Sequence, residues 1–191
     1  EYGSDSLRFT FCALATTGRD VRFDVARIEG YRNFCNKLWN VAKFALSNTE
    51  DFALGETVPE TELSDPINRW IRDRTSHVIN SCRQALGDYR FDLYANHIYE
   101  FAWHEYCDWY VEMIKPNFWA DANASERRRE TQQTMLIVFE TILKLAHPVM
   151  PFLTETLWQE IRLRSVEKPT TIMLESYPII LSLIHISEPT R

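Results

Sequence analysis

Glycine is scarce in this chain, with five in 191 residues, and the composition, 45% hydrophobic and 25% charged, fits one ordinary soluble domain. The four cysteines, Cys12, Cys35, Cys82 and Cys107, stand far apart without a CxxC pair, so they read as reduced thiols in helical patterns rather than a disulfide or zinc framework. No apolar run approaches the roughly eighteen residues a membrane-spanning helix needs, and no secretory signal opens the chain. A membrane role is therefore not expected, and a cytoplasmic location is. Catalytic signatures are missing as well: there is no Walker loop, GxGxxG, GxSxG or HExxH. Basic residues are outnumbered, 21 Lys and Arg against 27 Asp and Glu, for a net charge of −6. A protein that grips duplex DNA through phosphates would normally be basic, so DNA is not an expected partner. Any nucleic-acid role must rest on a local patch.

What the chain does hold is helical periodicity. Tyr89–Asn117 is dense in aromatic side chains and is closed by Pro116. Read as a helix from a cap at Asp92 to Lys115, it extends about 36 Å. His97, Glu100, His104, Asp108, Glu112 and Lys115 form a polar stripe at steps of three and four, and the other faces are apolar, Phe101, Trp103 and Trp109 among them. Such a helix touches neighbours on most of its circumference and forms the central strut of a bundle, with those three aromatics and Trp158 as core. Around it the pattern predicts a first helix capped by Ser4 or Asp5 and ended at Thr17-Gly18, and a second from Asp24 to Ser47. Asn48–Asp65 reads as an acidic loop. A third helix starts at Asp65-Pro66 and stops at Gly87; a fifth is capped by Ser125 and broken by Pro148 and Pro151, and a sixth runs from Thr154. Thr171–Pro178 reads as extended. The expected fold class is all-α, an antiparallel bundle of five or six helices.

Two clusters invite a site reading and are better explained otherwise. His97, Glu100 and His104, extended by Asp108, have the spacing of a metal site, but they are also the strut's only polar stripe. Arg127, Arg128 and Arg129 near a helix start suit a phosphate, or simply a solvated face. The second helix is more informative. Phe34, Leu38, Val41 and Ala45 form its inner seam, while Arg32, Asn36, Asn40, Lys43 and Ser47 share another face bordered by Trp39 and Phe44. Amides and cations beside aromatic rings are what unpaired bases require, donors for the Watson–Crick edge and rings for stacking, and on pattern alone an amphipathic helix with an ordinary wet face fits equally well.

The motifs then become recognisable. YGSDSLRF, TGRDVRFD, EGYRNFCNKLWNVAKF, NRWI, YRFD, YEFAWHEYCDWYVEMIKP, LAHPVMPFLTETLW and TIMLESYP resemble, in order, signatures of the valyl-tRNA synthetase family. EGYRNFCNKLWN and EFAWHEYCDWYVE are the more specific. NRWI and LAHPVMPFLTETLW are shared with isoleucine and leucine relatives, which keeps an isoleucyl-type fragment as one alternative and an RNA-free helical interaction module as another. The resemblance implies that residues 1–24 end a catalytic domain and contact the tRNA stem, and that residues 25–180 are an anticodon-binding bundle of the class I synthetase type. It also implies a parent enzyme that joins valine to ATP, with Mg, and passes it to its tRNA. The HIGH and KMSKS signatures are absent here, so no catalytic residue and no cofactor are expected in this piece. Arg32, Asn36, Asn40 and Lys43 are the expected base readers, with Phe44 or Phe52 stacking. Leu181–Arg191, LSLIHISEPTR, looks identical to a one-frame translation of a common transposase sequencing adapter and is expected to be non-native.

Overall fold

The computed structural model describes residues 3–16, 25–50, 52, 63–119, 125–162 and 170–179. The expected domain boundary near residue 24, the helix end at 17–18, most of the acidic loop and the adapter-like tail lie outside them. Among the described residues the secondary structure is helical: α1 (Ser4–Leu14), α2 (Val25–Asn48), α3 (Pro66–Gly87), α4 (Phe91–Glu100), a π-helical stretch (Phe101–Tyr110), α5 (Val111–Trp119), α6 (Ser125–Ala146) and α7 (Pro151–Arg162). A 3₁₀ turn, Ile172–Leu174, lies in the segment expected to be extended.

α4, the π stretch and α5 form one continuous strut of 91–119. Pro116 lies inside it rather than closing it. The cap also differs from expectation. Arg90 precedes the first turn, and Asp92 is a buried partner of its guanidinium, with contacts of 2.9 and 2.7 Å. The π stretch has a sequence cause. Ile98, Ala102, Tyr106, Tyr110, Ile114 and Phe118 are all buried at a strict four-residue step. A turn of about 3.6 residues would carry that line steadily away from the core. The wider i→i+5 turn holds it in place.

From α2 onward consecutive rods alternate in direction, as expected of an antiparallel bundle, with α2 and the strut parallel to each other. Tyr31 meets Tyr99, Phe34 meets Trp103 and Phe44 meets Phe118. α3 and α6 run against the strut. Tyr110 donates to Asn68 Oδ1 (2.9 Å) and Arg74 pairs with Glu105 on the α3 side; Tyr106 donates to the Met135 carbonyl (2.8 Å) and Asn117 to Thr131 (3.1 Å) on the α6 side. Trp158, Tyr94, Tyr106, Tyr110, Phe34, Phe101 and Phe139 fill the interior. The expected core role of Phe101 and Trp158 holds. That of Trp109 does not: it is 63% exposed, because the buried line uses Tyr106 and Tyr110 and turns position 109 to solvent. Trp103 is half-buried, stacked on Tyr99.

Each end of the bundle is pinned. At one end α1 clamps the α6–α7 turn: Asp5 accepts the Leu153 amide (2.6 Å), capping α7 from across the fold, while Arg8 donates to the carbonyls of Val149 (3.1 Å) and Pro148 (3.4 Å). α7 starts at Pro151 rather than Thr154, proline being suited to a first helical position. At the other end Asp65 caps α3, accepting the Ile67 amide at 2.8 Å. Glu130 accepts from the Ser64 amide and hydroxyl, the Asp65 amide and Asn68 Nδ2, all within 2.7–3.0 Å. Burial pushes the Glu130 carboxyl up, and these donors more than reverse it, leaving it below the ordinary range.

Candidate nucleic-acid interface

α2 is held so that one face cannot turn inward. Phe34, Leu38, Val41, Ala42 and Ala45 are buried, Phe9 of α1 packs on Tyr31 (4.8 Å between centroids) and Phe34 (5.4 Å), and the Asn48 carbonyl accepts from Gln132 of α6 at 2.8 Å. The opposite face is an exposed line at alternating steps of four and three: Glu29, Asn33, Asn36, Asn40, Lys43 and Ser47. It extends about 27 Å along the helix. Asn36, Asn40 and Lys43 thus stand together in solvent, as amide and ammonium donors. Lys43 lies 6.0 Å from the Trp39 ring, which is half-buried beside the line.

Two expected members are placed differently. Arg32 lies one position off the line, half-buried, with Nη2 3.2 Å from Glu29 Oε1. Phe52 is 8% exposed and belongs to the core, so it cannot stack on a base without leaving the bundle; this corrects that expectation. Phe44 is half-buried, edge-on to Phe118 at 6.0 Å with Lys115 Nζ 5.9 Å from its ring, and offers part of one surface at the end of the line. Asn33 and Glu29 were missed at the sequence level. The signal was there: counting back three and then four from Asn36 reaches both, whereas the row had been built on Arg32 by a step of four.

An acidic ridge bounds the face. Lys37 pairs with Asp108 and sits 4.1 Å from the Trp103 ring, so it is committed to holding α2 against the strut. Beyond it lie Glu100, His104, Asp108 and Glu112, all exposed. His104 approaches Asp108 at 3.4 Å and Glu100 at 3.8 Å, an i,i+4 arrangement on a solvated stripe. Among the described residues no group of three His, Cys, Asp or Glu side chains could hold a metal. Of the arginine run, Arg127 donates to the buried Asp65 carboxylate at 2.9 Å and serves the α3 cap. The cysteines are inert as nucleophiles: burial pushes Cys12 and Cys35 up to about 11 and Cys82 and Cys107 up to about 12. What the surface can do is present amide, hydroxyl and ammonium donors, amide and hydroxyl acceptors, one carboxylate and a partial aromatic edge along a single rigid helix. Among the described residues no helix is long and apolar enough to cross a membrane.

This arrangement suits an all-α domain that receives an RNA loop, and the chain belongs to such a family: residues 68–189 match the anticodon-binding domain of tRNA ligase. It is also similar to the valine–tRNA ligases of Legionella pneumophila strains Lens, Paris and Philadelphia 1, being 48% identical to each over 177 residues. That match covers 93% of the chain but 19% of each relative, so the chain spans about a fifth of the length of the proteins it resembles.

Proposed function

We propose that this chain is the anticodon-binding part of a valine–tRNA ligase and that α2 meets the unpaired bases of the anticodon loop. The observation that carries this reading is the solvent-exposed line Asn33–Asn36–Asn40–Lys43 on a helix whose other faces are fixed by packing. Splayed single-stranded bases suit such a face, since a protein helix does not fit the deep, narrow major groove of an RNA duplex. The net charge of −6 does not oppose the reading, because base-edge contacts need local donors rather than a basic surface. The whole enzyme would activate valine with ATP and Mg in protein outside this chain and transfer it to the tRNA, in the cytoplasm. Arg32 and Phe44 contribute at the border of the line.

The test separates the two half-reactions. In the full-length ligase, Lys43→Ala should lower kcat/KM for tRNA aminoacylation about tenfold or more, the scale of one lost charged hydrogen bond. Valine-dependent ATP–pyrophosphate exchange should stay within about twofold. Equal loss of both reactions would reject the assignment.

A further inference from the structure

Glu29 is the one carboxylate on the exposed line of α2, at the end away from Lys43. A carboxylate in a face that meets RNA repels phosphates, so its place there needs a reason. The structure supplies one: Glu29 Oε1 holds Arg32 Nη2 at 3.2 Å, and both side chains remain partly open to solvent. One acceptor and one donor therefore sit side by side on one helical turn.

We propose that Glu29 is a specificity-determining residue, its carboxylate accepting from the exocyclic amine of one unpaired anticodon-loop base while Arg32 donates to the adjacent acceptor on the same edge. This rests on the reading of α2 as the anticodon-facing helix. An amine beside a ring-nitrogen acceptor occurs on cytosine and adenine. Uracil has no exocyclic amine, and on the Watson–Crick edge of guanine the amine adjoins the N1–H donor, which Arg32 cannot serve. The pair thus selects the Watson–Crick edge of cytosine or adenine. By the same charge it turns away phosphate, which a lone arginine would accept.

The experiment is a double-mutant cycle in the full-length ligase. The protein change is Glu29→Ala, with Glu29→Gln as the conservative variant. The RNA changes replace cytosine by uracil, or adenine by purine, one anticodon-loop position at a time. The native enzyme should lose about tenfold or more in aminoacylation kcat/KM at one position. Glu29→Ala should be about tenfold poorer on unaltered tRNA and should no longer distinguish that position, and Glu29→Gln, which keeps an acceptor oxygen, should recover most of the loss. ATP–pyrophosphate exchange should not move. An equal change on every tRNA would make Glu29 a mere charge and overturn the proposal. No change from Glu29→Ala, while Asn36→Ala and Lys43→Ala still impair aminoacylation, would overturn it alone; no effect from any of the three would overturn the reading of α2 with it.

Discussion

At the scale of single residues, tryptophans of similar sequence surroundings have opposite roles. Trp158 is fully buried against Lys144 and Arg162, whose charged groups lie 5.1 and 4.5 Å from its ring, and its Nε1 donates to the Thr170 carbonyl at 2.9 Å. Trp158→Ala should cost about 3–5 kcal/mol in urea unfolding, whereas Trp109→Ala should fall within about 0.5 kcal/mol of the parent. A comparable loss at both would mean that Trp109 is not on the surface. Glu130 gives a second prediction. Its carboxyl lies below the ordinary range in the folded state, so its contribution is complete above the unfolded value of about 4.3 and is lost as pH falls through the folded value. Glu130→Ala should destabilise by about 2–4 kcal/mol at neutral pH, by stranding the buried donors of Asp65 and Asn68 and releasing those of exposed Ser64, and should flatten the acid limb of the stability profile. Trp158 and Phe101 were legible as core from periodicity. Glu130 was not, because a carboxylate in a helix's first turns reads as a cap or a wet face until its long-range donors are known.

Among elements, α2 was legible in its inner seam of Phe34, Leu38, Val41 and Ala45 and in Asn36, Asn40, Lys43 and Ser47 of its wet line, but a step of four back from Asn36 put Arg32 where Asn33 and Glu29 stand. The strut was legible in its polar stripe but not in its exit angle. An α-helical wheel of 3.6 residues places Trp109 inside, and only the π turn, set by the four-residue march from Ile98 to Phe118, turns it out. Phe52 was misread for a related reason: it lies past the helix end, where spacing gives no face, and the chain folds it back so that its amide reaches the Thr49 carbonyl at 3.1 Å. α7 depends on a cap it does not carry. Asp5→Ala should remove the acceptor of the Leu153 amide and lower stability by about 0.5–2 kcal/mol, read as a shift of the urea midpoint with unchanged slope. A larger effect of Arg8→Ala than of Asp5→Ala would instead place the clamp's strength in the Pro148 and Val149 carbonyl contacts.

For the molecule as a whole, the order of motifs and the helical period were enough to give an all-α bundle, and the packed strut explains why: a helix buried on most sides forces its neighbours to surround it. The global charge was the misleading quantity. An acidic chain argues against a phosphate-gripping protein, yet the surface is divided, with Glu100, Asp108 and Glu112 on the strut and amides with Lys43 on α2. That division makes a spatial prediction as well as an energetic one. With a photo-reactive amino acid in place of Asn40 in the full-length ligase, irradiation with valine tRNA bound should crosslink to anticodon-loop nucleotides. The same group in place of Glu112, on the acidic ridge of the strut, should not. Crosslinks from position 40 confined to the acceptor arm, or none while the tRNA remains bound, would contradict the assignment of α2 to the anticodon.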